Sequence, residues 1–216
     1  MSGVGAVVVA AGRGDRYGAA KQFLVLDGVR LVDRAVAACA AVCDAVVVVL
    51  PAGTEWTGPP VTAAVPGGAT RSASVRAGLD ALDAAGVDVD VVLVHDAARP
   101  LASPGLFDAV IAAVRAGADA VVPGVAVADT LKRVDGERVV ETVDRDALVA
   151  VQTPQGFRRS ALRAAHGAGG DATDDAALVE AAGGTVIWVP GEPTNFKVTE
   201  PADLERATAV LTREGS

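Results

Sequence analysis

Six apolar runs of strand length recur along the chain, at Val4 to Ala10, Ala45 to Leu50, Val61 to Val65, Val91 to His95, Ala120 to Pro123 and Thr185 to Val189. Valine-rich runs of this kind suit strands that are buried on both faces of a parallel sheet. Helical stretches separate most of them. Leu31 to Val42 is one, Ser72 to Ala85 a second with Ser72 as its expected N-cap and Gly86 as its stop, and Ser103-Pro104 begins a third that ends at Gly117. The alternation predicts an α/β fold, a doubly wound and mostly parallel Rossmann-like sheet. Ligands of such sheets bind beyond the carboxyl ends of the strands, where the segments after Ala10, Val65 and Val94 emerge.

A length of 216 residues fits one domain with helices on both faces of its sheet, and the whole of 1–216 is read that way. Hydrophobic residues make up 51% and aromatic residues 3%, so the core must be built from Val, Ala and Leu. The charge sum of 19 cations against 27 anions, or -8, argues against a nucleic-acid partner, so any phosphate site must be local. Cys39 and Cys43 lack the spacing of redox or zinc motifs and read as core filler. With no charged leader before the first apolar run, they point to the cytoplasm. No apolar run approaches the roughly 18 residues of a transmembrane helix, so no membrane partner is expected.

The first run passes directly into Ala11-Gly12-Arg13-Gly14-Asp15-Arg16-Tyr17-Gly18-Ala19-Ala20-Lys21-Gln22, a glycine turn with spaced cations. Gly12 and Gly14 let main-chain amides come close to a phosphate, and Arg16 and Lys21 add full charge. The dinucleotide fingerprint fails, because three residues and not two lie between Gly14 and Gly18. The P-loop also fails, because Lys21 follows Ala20 and precedes Gln22. A plain connecting turn is the alternative for this segment alone. Only three of the 19 cations are lysine, Lys21, Lys132 and Lys197, and a compact ammonium where arginine is the default hints at a specific use.

From Val127 to Val151 the α/β rhythm breaks into alternating runs around Asp135-Gly136, a two-residue turn signal. This predicts a β-hairpin arm at about 129–147 that packs on a second subunit through Leu131, Val134, Val139 and Val143. A hairpin folded back on its own sheet is the alternative.

Other segments carry polar chemistry at expected loops. His95-Asp96-Ala97-Ala98-Arg99-Pro100 puts Asp96 at a strand end, suited to a hydrated Mg²⁺ or a nucleotide sugar, with Arg99 able to pair with a carboxylate. His95 is read as a packing and hydrogen-bonding residue. Pro66 to Ser74 offers glycines and hydroxyls to a base edge, or only a helix cap. Thr153-Pro154-Gln155-Gly156-Phe157 and Thr173-Asp174-Asp175 are read as loops, 167–170 as a mobile loop, and Lys197 as a second cation before a helix begun by Pro201.

Taken in order, A-A-G-R-G-D-R-x-x-x-x-K, G-G-A-T-R-S-A-S-V, H-D-A-A-R-P, D-T-L-K, T-V-D-R, T-P-Q-G-F, T-D-D-A and N-F-K-V-T resemble the 2-C-methyl-D-erythritol 4-phosphate cytidylyltransferases of the non-mevalonate isoprenoid pathway. The resemblance runs from about Val4 to the final helix. It implies a nucleotidyltransferase fold that moves CMP from CTP, bound with Mg²⁺ or another divalent cation, to a polyol phosphate. Arg16 and Lys21 would stabilise charge at the α-phosphate, and Ala10, Ala11, Gly12 and Gly14 would form the CTP turn. Gly68 and Ser74 would meet cytosine, and Asp96 and Ala97 ribose and metal. Thr130, Arg145, Thr153 and Lys197 would hold the methylerythritol phosphate, with Thr130 and Arg145 reaching over from the partner of a homodimer. Ala20, Ala69 and Asp175 depart from the family's usual proline, acidic residue and glutamate.

Attack of one phosphate on another needs no base, so catalysis would consist of positioning and charge neutralisation. A ribitol 5-phosphate cytidylyltransferase is the nearest rival, and a non-catalytic nucleotide-binding regulator is a rival of another class. An NAD-dependent oxidoreductase is disfavoured by the glycine spacing.

Overall fold

The computed structural model describes residues 2–12 and 20–214, so the expected phosphate ligands Gly14 and Arg16 lie outside the described residues. Along the chain come β1 (Gly3–Val9), a 3₁₀ turn (Lys21–Phe23), β2 (Val25–Leu26), β3 (Val29–Arg30), α1 (Leu31–Ala40), β4 (Ala45–Leu50) and β5 (Ala63–Pro66). Next are α2 (Arg71–Ala84), β6 (Val89–Asp96), α3 (Pro104–Arg115), β7 (Ala120–Ala126), and the hairpin β8 (Leu131–Asp135) and β9 (Arg138–Val143). The chain closes with β10 (Val149–Val151), β11 (Gln155–Arg158), α4 (Arg159–Gly167), α5 (Asp175–Ala181), β12 (Val186–Pro190) and α6 (Pro201–Glu214).

The main sheet runs β10-β7-β11-β6-β1-β4-β5, with β12 also paired to β7. β1 pairs in parallel with β4 on one side and β6 on the other, so the chain reverses its winding direction between β1 and β6. Side-chain alternation splits the core by face. Val4, Ala6 and Val8 pack with Val36 of α1 and Phe107 of α3, whereas Val7 packs with Leu79 of α2, Leu162 of α4 and Val179 of α5. β4 is buried at every position, which explains its uninterrupted apolar sequence. Truncating a fully buried residue such as Leu93 would cost about 2–5 kcal/mol.

Several expectations need correction. The cap of α2 is Thr70, whose hydroxyl accepts from the Ala73 N–H, while Ser72 lies inside the helix and is buried. Gln155–Arg158, expected as loop, is antiparallel strand β11, inserted between β6 and β7. Its glycine is required by close packing, because a Cβ on Gly156 would lie 2.4 Å from Val110 Cγ1. Asp174 and Asp175 are not loop residues either. Asp174 caps α5 through the Ala177 N–H, and Asp175 is that helix's first residue.

The hairpin forms a two-stranded sheet of its own, with Leu131 opposite Val143. Its turn residues are Gly136 and Glu137, one step later than the Asp-Gly pair suggested, because Asp135 still pairs with Arg138 and Gly136 takes the φ of +57° that opens the turn. Val134, Val139 and Val140 are exposed on it.

A small third core places the chain's last segment. Leu24, Leu26 and Leu31 pack with Val198 and with Leu204, Ala207 and Leu211 of α6. The Val198 N–H also donates to Ala98 O at 2.8 Å. The loop bearing Lys197 is thereby fixed beside the turn bearing Lys21 and the end of β6.

Candidate active site

A cavity of about 340 Å³ opens at the carboxyl ends of β1 and β6, at the point where the winding reverses. Its floor is Val9, Ala10, Ala11 and Gly12 from the first strand and Asp96, Ala97 and Ala98 from the sixth. Lys21, Gln22, Arg71, Ser74 and Lys197 complete the wall. Main-chain bonds fix the floor, from the Ala10 N–H to Val49 O at 2.8 Å and from the Ala97 N–H to Val9 O at 3.1 Å. Close approach is built in at Gly67, where a Cβ would sit 2.3 Å from Ala11 Cβ.

Lys21 opens the 3₁₀ turn, and its neighbour Gln22 donates through Nε2 to Gly12 O at 3.2 Å. That bond ties together the two ends of the glycine segment. Ala20, before Lys21, has φ -70°, the value a proline ring would impose, so the departure to alanine leaves this backbone geometry in place.

Asp96 is the electrostatic centre of the cavity. Its Oδ2 accepts from Lys197 Nζ at 2.6 Å, and its Oδ1 lies 3.8 Å from Arg71. Burial pushes the Asp96 carboxyl up, but Lys197 and Arg71 together outweigh burial and hold it at about 2. Arg71 is bound more tightly elsewhere, to the fully buried Asp175 at 2.5 Å. Burial works against the Arg71 cation, and the carboxylates of Asp175 and Asp96 overcome it.

Beneath Asp96 runs a hydrogen-bonded support. The Asp96 N–H donates to Thr153 Oγ1 at 3.0 Å, and Thr153 Oγ1 lies 3.1 Å from His95 Nδ1. His95 Nε2 is 3.1 Å from Arg99 O, which can only accept, so Nε2 carries the hydrogen and Thr153 donates to Nδ1. The ring packs 5.3 Å from that of Phe107, and burial lowers the His95 pKa to about 4. The expected packing role of His95 is what the geometry shows. Arg99, expected to pair with a carboxylate, instead donates to the carbonyls of Asn195 and Val151.

Of the expected site residues, Ala10, Ala11, Gly12, Lys21, Ser74, Asp96, Ala97 and Lys197 share the cavity. Gly68 stands behind it, its N–H donating to Ser74 Oγ at 3.2 Å. Thr153 is buried under Asp96, outside the lining. Thr130 and Arg145 are exposed at the root of the hairpin, where Arg145 donates to Ala128 O. Arg71, Gln22 and Asp175 were missed. Arg71 stood in plain view within G-G-A-T-R-S, but its buried partner lies 104 residues away.

A family profile described as IspD, 2-C-methyl-D-erythritol 4-phosphate cytidylyltransferase, matches residues 4–213. The chain belongs to this family. It is 48% identical to a 2-C-methyl-D-erythritol 4-phosphate cytidylyltransferase of Streptomyces coelicolor, over 96% of this chain and 84% of that protein. The corresponding protein of Nocardia farcinica is 47% identical, over 98% and 95%. A bifunctional enzyme IspD/IspF of Anaeromyxobacter dehalogenans is 48% identical over 95% of this chain but only 56% of its own length. The chain thus spans about half the length of the bifunctional curated relatives it matches. The crystal structure of the Thermus thermophilus cytidylyltransferase superposes with a TM-score of 0.81 at 40% identity, covering 97% of this chain and 98% of that one. As an IspD-family chain it has the mixed, mostly parallel sheet expected of it.

Proposed function

We propose that this chain transfers CMP from CTP to 2-C-methyl-D-erythritol 4-phosphate, releasing pyrophosphate and 4-diphosphocytidyl-2-C-methyl-D-erythritol. The observation that carries this reading is the meeting of Lys21, Asp96 and Lys197 with the Ala10-Ala11-Gly12 turn in one cavity of an IspD-family chain. An acceptor phosphate oxygen bonds to the α-phosphorus of CTP as the bond from that phosphorus to the pyrophosphate oxygen breaks. Both reactants are anions, so the chief work is to offset their repulsion. Lys21 and Arg16 take up charge at the α-phosphate, while Lys197 lies on the acceptor side.

Among the described residues no group of three or more His, Cys, Asp or Glu side chains is placed to hold a metal. A single carboxylate such as Asp96, with phosphate oxygens as the remaining ligands, fits the habits of Mg²⁺, and Asp96 Oδ1 would hold it. The cation supplies charge neutralisation on the triphosphate when bound.

The functional unit is one nucleotidyltransferase domain with an arm at 129–147, working as a homodimer in the cytoplasm. Exposed Val134, Val139 and Val140 support an arm that packs on a partner, carrying Thr130 and Arg145 to the partner's cavity. Free Cys39 and Cys43 suit a reducing compartment, and no helix among the described residues is long and apolar enough to cross a membrane. Pyrophosphate release should be measured for each nucleoside triphosphate with methylerythritol phosphate or ribitol phosphate as acceptor. Release with CTP and methylerythritol phosphate is expected; none with either acceptor would overturn the reading, and preference for ribitol phosphate would change the acceptor.

A further inference from the structure

Behind the cavity wall a line of alternating charges leads away from the site. Lys197 meets Asp96, Asp96 faces Arg71, Arg71 binds Asp175, and Asp175 Oδ1 lies 3.0 Å from His166 Nε2. The last two are outside the cavity lining and inaccessible, with side chains 0% and 2% exposed. His166 comes from α4 and Asp175 from the first turn of α5, so their bond joins the two helices behind Arg71. A carboxylate that faces arginine only accepts, so His166 Nε2 carries the hydrogen. His166 Nδ1 has no partner among the described residues, which leaves the Asp175 bond as the sole polar contact of that ring.

Asp175 and Asp96 face different nitrogens of one guanidinium, Asp175 at Nη1 and Asp96 at Nη2. At 2.5 Å Arg71 is committed to Asp175, whereas 3.8 Å from Asp96 Oδ1 is beyond hydrogen-bond reach. Asp96 Oδ2 is taken by Lys197, so Oδ1 is the oxygen left to an incoming ligand. If Asp175 swung away, Arg71 would lose the carboxylate that hydrogen-bonds it and would be free to close on that oxygen, with Asp174 the other carboxylate acting on it. We propose that His166 is a positioning residue for the nucleotide site: by fixing Asp175 from behind, it keeps Arg71 off Asp96 and Asp96 Oδ1 open to magnesium–CTP. The inference rests on the cytidylyltransferase reading for the identity of that ligand.

The test compares His166→Leu, which removes the donor at similar volume, with His166→Gln, which returns an N–H near the Nε2 position. Calorimetric titration with magnesium–CTP, steady-state kinetics and thermal unfolding are measured on each. His166→Leu is expected to weaken magnesium–CTP binding and raise the KM for CTP by about tenfold, the effect of losing one hydrogen bond to a charged group. Its kcat and acceptor KM should stay within about twofold of wild type, and His166→Gln should recover most of the binding. A folded His166→Leu protein with unchanged CTP affinity overturns the proposal. So does equal impairment of both variants, which would mark a packing role. Should His166→Leu not fold, Asp175→Asn carries the test, with the same rise expected and unchanged affinity again decisive. Wild-type protein that binds magnesium–CTP but releases no pyrophosphate would refute the proposed reaction while leaving the binding comparison in force.

Discussion

Lys197 Nζ sits 2.6 Å from Asp96 Oδ2, joining the loop before the last helix to the end of a central strand 101 residues earlier. The pair links two parts of the cavity, since Asp96 belongs to its floor and Lys197 is 41% exposed at its wall. Lys197→Met should lower turnover by roughly a hundredfold, as for loss of one charge-stabilising donor, and release the Asp96 carboxyl upward. Because folding lowers the Asp96 pKa, its contribution to stability is complete above its ordinary 3.8 and lost as pH falls toward about 2. Acid unfolding of the Lys197→Met protein, followed by circular dichroism, should therefore begin at higher pH than that of wild type.

His95 adds an earlier acid limb. Its pKa falls from 6.5 to about 4 on burial, so the unfolded chain gains a proton in that interval that the folded chain refuses. Stability is full above 6.5 and should decline as pH drops to about 4. Urea midpoints across this range check it: in His95→Phe, which has no titrating ring, this part of the slope should vanish, whatever the variant's absolute stability.

Lys21→Ala should reduce kcat by about a hundredfold while the KM for CTP changes much less, because in the proposed reaction the charge facing Lys21 grows in the transition state. Rapid-quench measurement of pyrophosphate formation separates the two. Unchanged turnover would remove Lys21 from the mechanism.

Arg145→Ala should impair use of the polyol phosphate more than of CTP. If the arm serves the partner's cavity, mixing inactive Arg145→Ala and Lys21→Ala proteins forms heterodimers with one intact site, and activity should return to part of the wild-type level. Mixtures that subunit exchange proves to be hybrid, yet that stay inactive, would place Arg145 in its own subunit's site.

The apolar runs were legible because burial on both faces leaves little room for polar residues, so β1, β4 and β6 could be found from valine alone. β11 was hidden by its own solution to packing. Pro154 and Gly156 read as turn residues, yet Gly156 is needed so that α3 can approach the strand, a constraint visible only in three dimensions. Of the residues that line the cavity, those in local glycine or strand-end motifs were legible in the sequence, including Gly12, Lys21 and Asp96. Arg71 and Asp175 escaped because their meaning lies in each other, across 104 residues, and each alone reads as a cap or surface charge. The third core shows the same limit, since nothing local in Leu26 predicts Val198 as its neighbour.

β11 separates β6 from β7, so these two strands belong to one sheet only through four residues that follow both of them in the chain. A nascent chain that has reached the arm exposes two unmatched strand edges, which are open to proteases and to wrong partners. Chains stalled before Gln155 should thus be digested under conditions the full chain survives. The order of assembly is then asymmetric: β1 and β6, which lead to Gly12 and end at Asp96, can pair before Lys197 has been made, since Lys197 lies 101 residues after Asp96. Until Lys197 is made, Asp96 stands without the cation that binds it most closely among the described residues, so the charge balance of the site is set long after its floor can form.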